Sequence, residues 1–136
     1  MVVKVIVSVE VKPTENEEKV KKTLLNILNV NVEKIKLRED DKVTLIVEGG
    51  GFELLLKFRE VIRRRRILSA AKAILKQSII DGNKIIFYLN KQAAYMGQVS
   101  FCQRDGESPL GPITIEVICE NEKEVNEFIN WLTSQS

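Results

Sequence analysis

Residues 52–79 form a long stretch of helical periodicity in which the apolar face changes direction partway along. Successive helical residues rotate by about 100°, so the two halves bury different stripes. The first stripe contains Leu54, Leu55, Phe58, Val61 and Ile62, and the second contains Ile67, Leu68, Ala71, Ile74 and Leu75. The change falls at four consecutive arginines, residues 63–66. This pattern predicts either two helices that meet at the arginines or one long helix that packs against two surfaces.

The rest of the chain alternates between strand and helix patterns. Valines at every second position of residues 2–11 predict a half-buried strand. A helix follows to about Asn29, with Thr14 as its N-cap and Glu17 as the reciprocal partner. Further strands are predicted at 31–37, 42–48, 84–89, 97–102 and 113–119, and a last helix at 122–133. The order β-α-β-β-α-β-β-β-α predicts one α+β domain over residues 1–136, a two-layer sandwich with helices on one face of a mostly antiparallel sheet.

Composition removes most catalytic chemistry. The chain of 136 residues has no histidine, so the usual general base and the commonest metal ligand are missing. The two cysteines, Cys102 and Cys119, lack the spacing of a zinc or redox site, and each lies in an apolar run where a free thiol is the expected state. No apolar run approaches the roughly 20 residues that span a bilayer. We therefore expect a soluble, cytoplasmic, non-enzymatic protein without metal or cofactor.

Positive charge is concentrated in one segment. Residues 52–80 contain 8 basic and 2 acidic side chains, whereas residues 81–136 contain 4 basic and 8 acidic ones. Within the basic segment, Arg59, Arg63 and Arg66 follow i, i+4, i+7 and form a ridge along one helix face. Guanidinium groups bind phosphate through forked hydrogen bonds, so the ridge is a candidate nucleic-acid contact. A solvated helix face, or ion pairs with the acidic C-terminal segment, explains the same residues equally well.

Two shorter motifs allow a functional and a structural interpretation. Gly49-Gly50-Gly51 separates a strand from a helix, where glycine amides can bind phosphate, but no P-loop ending follows and a plain turn is favoured. Asn90-Lys91-Gln92 offers amides and an ammonium group that can contact bases or ribose. Asn90 also suits the N-cap of a short helical turn, and this second interpretation is favoured. Trp131 lies beside the core stripe of the last helix and predicts a seam or a dimer contact.

A family resemblance rests on ordered motifs that span nearly the whole chain. They are Pro13-Thr14-Glu15, Arg66-Ile67-Leu68 with Ala71-Lys72, Leu89-Asn90-Lys91-Gln92-Ala93-Ala94, Gly97-Gln98-Val99-Ser100-Phe101, and Leu110-Gly111-Pro112-Ile113. In these residues the chain resembles the archaeal uncharacterised protein family 0201. The resemblance implies an archaeal, cytoplasmic, RNA-binding protein. It also implies a fold similar to the ribosomal protein that holds 5S RNA, with a relation to double-stranded-RNA-binding domains.

One departure bears on how such a chain would bind RNA. Double-stranded-RNA-binding domains resemble one another in a lysine-rich start to the final helix, whereas the final helix here begins Glu120-Asn121-Glu122-Lys123-Glu124. We therefore expect structured RNA to contact the arginine ridge, with help from Lys57, Arg64, Lys91 and Gln92. The alternative is a protein–protein or homodimerisation module, since the two apolar stripes and the oppositely charged segments can pair between chains. An enzyme with a small-molecule pocket ranks third.

Overall fold

An antiparallel sheet and the helices that cover one of its faces make up the structure, a computed structural model that describes residues 2–64, 67–104 and 110–134. The strands in that part of the chain are β1 (Val2–Val11), β2 (Lys36–Glu39), β3 (Val43–Gly49), β4 (Ile79–Ile80), β5 (Lys84–Asn90), β6 (Phe101–Cys102) and β7 (Pro112–Cys119). The α-helices are α1 (Glu17–Ile27), α2 (Leu56–Arg64), α3 (Leu68–Gln77), α4 (Lys91–Tyr95) and α5 (Glu122–Leu132). The predicted α+β class is confirmed.

The sheet has the order β2-β3-β1-β7-β5-β4, and β6 pairs with β5 beside this path. Its register aligns the apolar residues of four strands, so that Val47, Val7, Ile115 and Phe87 form one continuous row. Side chains alternate between the two faces of a sheet along each strand, so the rows that lie two residues away from this one point to the same face. That face is buried, while the intervening residues of β1, β3, β5 and β7 are mostly half-exposed.

The helices contribute their apolar stripes to one core with the buried sheet face. The first stripe of the long helical stretch is buried, and in the second stripe Ala71 and Leu75 are buried while Ile67 and Leu68 pack against the core. The aromatic rings of Phe58, Phe87 and Phe101 meet where α2 crosses the sheet, with centroids 5.8 Å and 6.3 Å from Phe58. The first stripe and most of the second are therefore buried within one chain, with Ile74 left half-buried. The long stretch is two helices, α2 and α3.

Element boundaries differ from the prediction beside α4 and before β2. The strand predicted at 31–37 is wrong in its first part, because residues 32–34 form a 3-10 turn and β2 begins at Lys36. The strand predicted at 97–102 is reduced to β6, because residues 97–100 turn back around the end of α4. Gly97 has a positive φ of 75°, which favours glycine, and the Gln98 amide donates to the Ala93 carbonyl at 2.9 Å. The short helical turn predicted after Asn90 is confirmed as α4, since the Asn90 side chain accepts a hydrogen bond from the Ala93 amide at 2.8 Å.

Candidate functional site

Helix α2 concentrates positive charge on its solvent side. Four of its nine residues are cationic, and Glu60 is its one carboxylate. Because Phe58, Val61 and Ile62 turn toward the core, the charged side chains project from the rest of the helix circumference. The predicted basic segment therefore lies in the helical layer and not on the open face of the sheet.

Arg59 turns away from solvent toward α5. Its side chain is 14% exposed. Nε donates to the Trp131 carbonyl at 2.9 Å, and a terminal nitrogen donates to Ser134 Oγ at 3.2 Å. The guanidinium also lies 5.3 Å from the centroid of the Trp131 ring, which stacks on Phe52 at 4.5 Å. A cation at the carboxyl end of a helix satisfies carbonyls that lack partners, so Arg59 fastens the end of α5.

The remaining predicted residues of α2 lie closer to solvent. Arg63 is half-exposed and donates to Glu60 Oε1 at 3.1 Å. Arg64 is exposed, and its side chain has neither a hydrogen bond nor an ion pair with any residue that the structure describes. Arg66, the last member of the predicted ridge, lies outside the described residues. The ridge is therefore interrupted at Arg59, while RNA contacts from Arg63 and Arg64 stay predictions.

Lys57 connects α2 to α1. It is exposed, and its Nζ donates to the Leu25 carbonyl at 2.9 Å, near the carboxyl end of α1. Exposed Lys19 and Lys22 add positive charge to α1. Lys21 stays protonated, since its hydrogen bond to Glu17 raises its pKa, but the Glu17 carboxylate at 3.1 Å offsets its charge. The cations of α1 and α2 thus belong to adjoining parts of the helical layer.

Lys91 has a different role from the one expected of it. The residue is 3% exposed, and its Nζ donates to three oxygens. These are the Glu10 carbonyl at 2.7 Å, Glu15 Oε1 at 2.8 Å and the Leu110 carbonyl at 2.8 Å. An ammonium group has three protons, and all three are used inside the protein. Lys91 therefore joins β1, the turn after it and the segment at Leu110, and we remove it from the predicted RNA contacts.

A groove opens beside this buried lysine, between α1 and α4. Gln92, the last predicted site residue, is exposed on its rim. The groove has a volume of about 440 Å³ and is lined by Thr14, Glu15, Asn16, Lys19, Val20, Thr23, Lys91, Gln92, Tyr95, Met96 and Leu110. The Asn26 side chain fixes its width by donating to the carbonyls of Ala94 and Tyr95 at 3.2 Å and 2.9 Å. Sequence patterns did not indicate this groove, because its walls come from segments far apart in the chain.

Other features that the sequence singled out have structural roles. Gly51 has a positive φ of 68° in the turn between β3 and α2, in agreement with the favoured interpretation of the glycine run as a turn. Trp131 forms a seam within the chain, against Phe52 and Arg59. Among the residues described, no group of three or more histidine, cysteine, aspartate or glutamate side chains is arranged to hold a metal ion. No described helix is long and apolar enough to cross a membrane.

The two free thiols differ in their environment. Cys119 is buried at the end of β7, whereas Cys102 in β6 is half-buried. Burial raises the pKa of the Cys119 thiol, and the thiolate is the form that attacks alkylating agents. We expect iodoacetamide at pH 8 to modify Cys102 at least about tenfold faster than Cys119 in the folded protein. Mass spectrometry of timed samples measures both rates, and equal rates in urea provide the control. Faster modification of Cys119 in the folded state would contradict this assignment.

The fold and charge distribution define an α+β protein with a basic helical surface, and comparisons with known proteins identify its family. A family model described as RNA binding matches residues 4–120. The UPF0201 protein of Methanopyrus kandleri is 37% identical, with 100% of this chain and 87% of the relative covered. That of Pyrobaculum neutrophilum is 40% identical, with 98% and 90% covered. The crystal structure of the UPF0201 protein from Methanococcus jannaschii has a TM-score of 0.77 and 30% identity, and 98% of this chain and 95% of that one are covered.

The chain belongs to the UPF0201 family, the archaeal uncharacterised protein family 0201, and to the family described as RNA binding. The resemblance carried by the Asn90-to-Ala94 block and its flanking motifs is thus confirmed. Likeness to the ribosomal protein that holds 5S RNA stays a prediction.

Proposed function

We propose that the protein binds structured RNA through the solvent-facing cations of α2, namely Lys57, Arg63 and Arg64, and does so without catalysis. The match of residues 4–120 to a family described as RNA binding carries the proposal. The charge distribution supports this location, because the solvent side of α2 has three cations, Lys57, Arg63 and Arg64, against one carboxylate, Glu60. A surface with that excess attracts the phosphate backbone of a nucleic acid and releases its counterions.

The character of the two arginines supports a role in binding. Arg64 is exposed and without a partner among the described residues, so a phosphate does not have to displace an internal bond. Arg63 is held by Glu60 at 3.1 Å, which limits its rotamers at the surface. Arginine at such a position can present two parallel N–H groups to one phosphate. Both side chains lie on a helix anchored in the core, and this favours RNA with a fixed phosphate spacing over a flexible single strand.

The proposal is for a binding protein and not an enzyme. The chain contains no histidine, and two carboxylates beside the basic surface, Glu60 on α2 and Glu17 on α1, are engaged with Arg63 and Lys21. Self-association, the alternative hypothesis, is motivated by the two displaced apolar stripes and by the oppositely charged segments of the chain. The core of one chain accommodates the first stripe and most of the second, which weakens the first motivation. Pairing of the charged segments between chains stays a prediction, and we do not propose a dimer.

Removing Arg63 and Arg64 together tests the proposal. In the variant Arg63→Gln with Arg64→Gln, we expect affinity for an RNA hairpin to fall roughly tenfold at low salt. We also expect the slope of log affinity against log salt to decrease by about two, because each phosphate contact contributes about one. Fluorescence anisotropy with a hairpin, a single strand and a DNA duplex measures affinity, slope and preference for RNA shape.

A control variant separates a local contact from a change in net charge. Lys36→Gln with Lys123→Gln also removes two positive charges, from exposed positions on β2 and α5. We expect this variant to retain the wild-type salt slope. If both double variants lost RNA affinity and salt slope equally, the effect would depend only on the total charge of the protein. That result would contradict the assignment of the binding surface to α2. Absence of sub-micromolar binding to any of the three nucleic acids at low salt would overturn RNA binding itself.

A further inference from the structure

The groove between α1 and α4 has the size and shape of a small-molecule site. Its volume of about 440 Å³ lies within the roughly 300–1,000 Å³ typical of ligand pockets. Apolar residues from three segments line it: Val20 of α1, Tyr95 and Met96 at the end of α4, and Leu110. Tyr95 is 38% exposed and Met96 is 71% exposed. Two large side chains thus remain in contact with solvent beside an open cavity.

The base of the groove carries no spare charge. Lys91 and Glu15 both line it, and their ion pair at 2.8 Å is buried. Lys91 has used its other two protons on backbone carbonyls, and Glu15 Oε1 also accepts from the Lys12 amide at 2.9 Å. A phosphate or a carboxylate would find no available cation at this depth. The part of a ligand that enters the groove must therefore be uncharged.

Positive charge and hydrogen-bonding groups lie at the rim instead. Lys19 and Gln92 are exposed there. Lys22 lies with its Nζ 5.9 Å from the centroid of the Tyr95 ring, within the range of a cation–π contact. A ligand that fits this site has an uncharged, flat group inside the groove, where it can stack on Tyr95 and form hydrogen bonds through its edges. Its negative charge lies outside the groove, near the lysines of the rim. A nucleotide has this distribution, with the base in the groove and the phosphate at the rim.

We propose that the groove receives the base of an unpaired nucleotide in RNA. This inference rests on the proposed RNA binding, and α1 connects the two surfaces. Lys19, Val20 and Thr23 of α1 line the groove, while the Leu25 carbonyl at the other end of the helix accepts from Lys57 of α2. An RNA stem on the α2 cations can thus place a bulged base beside Tyr95. The recognised substrate class is a structured RNA with an extruded nucleotide.

The test compares two hairpins that differ only in one unpaired adenosine within the stem. We expect the wild-type protein to prefer the bulged hairpin, and Tyr95→Leu to weaken binding to it by about 5- to 20-fold. This is the lower part of the range for base–aromatic stacking, because leucine keeps some apolar contact. Affinity for the fully paired hairpin should not change. Tyr88→Leu is the matched control, since Tyr88 is the other of the two tyrosines and lies on the opposite face of the sheet.

Direct contact is tested by cross-linking. With 5-iodouracil as the unpaired base, ultraviolet irradiation should give an adduct that mass spectrometry maps to Tyr95 or Met96. Equal affinity for both hairpins in wild type and Tyr95→Leu would overturn the groove as a base site while leaving RNA binding intact. Failure of both hairpins to bind would instead overturn the proposed function. Binding of free AMP that depends on Tyr95, without preference for the bulged hairpin, would overturn RNA as the source of the nucleotide.

Discussion

Replacing Lys91 with methionine is expected to lower the free energy of unfolding by about 3–5 kcal/mol, the usual cost of removing one partner from a buried ion pair. The Glu15 side chain is 12% exposed and would lose the cation that lies 2.8 Å away. The carbonyls of Glu10 and Leu110 would lose their donor in the same substitution. Urea denaturation measures the loss, which corresponds to a fall of roughly 10–15 °C in Tm for a chain of this size.

A second substitution, at Glu15, distinguishes the cost of an unpaired charge from the cost of lost packing in the Lys91→Met variant. Lys91→Met combined with Glu15→Gln leaves no unpaired carboxylate, so we expect the double variant to be more stable than Lys91→Met alone. Lys123→Met is the surface control, and its stability should stay within about 0.5 kcal/mol of wild type. A loss below about 1 kcal/mol in Lys91→Met would contradict the structural role assigned to this lysine.

Local periodicity predicted the parts of the fold that depend on near neighbours in the chain. The alternating valines of β1 indicated its buried face, and the shift of apolar stripe at residues 63–66 allowed for the division between α2 and α3. Both signals follow from the geometry of a single element. The α+β class could therefore be predicted, because the order of strand and helix patterns restricts the ways in which apolar faces can meet.

Contacts between distant segments account for what the sequence did not predict. Thr14 was the predicted cap of α1, but Asn16 caps the helix and accepts from the amides of Glu18 and Lys19. The preceding turn is shaped by Glu15, which binds Lys91, 76 positions along the chain. The capping-box pattern cannot register a partner at that distance. The same contact turned Lys91 from a predicted RNA ligand into a buried residue.

The exposure of the arginines on α2 also could not be predicted from the sequence, because it depends on a contact with a distant helix. Helical spacing placed Arg59 and Arg63 on one ridge, and they do lie on neighbouring parts of the helix. Spacing does not tell which flank of that ridge another helix covers. The end of α5 lies against the Arg59 flank, where it brings the Trp131 carbonyl and ring within reach of the guanidinium. Arg64 has no such neighbour and remains exposed.

This difference predicts opposite effects for two substitutions that each remove one arginine from α2. Arg59→Met should lower the free energy of unfolding by about 2–3 kcal/mol, since it removes charge-assisted hydrogen bonds and a cation–π contact at the end of α5. Arg64→Met should change stability by less than about 0.5 kcal/mol. RNA binding should show the reverse, with the salt slope reduced by about one in Arg64→Met and unchanged in Arg59→Met.

Urea denaturation of the two variants measures the free energy of unfolding, and fluorescence anisotropy with the RNA hairpin measures the salt slope of binding. Because both substitutions remove a single positive charge from one helix, each variant is the control for the other. An unchanged stability together with a reduced salt slope in Arg59→Met would contradict its role at the end of α5, and would return Arg59 to the phosphate contacts of the predicted ridge. A loss of stability confined to Arg59→Met, together with a reduced salt slope confined to Arg64→Met, would support an RNA-binding surface on the solvent side of α2, away from α5.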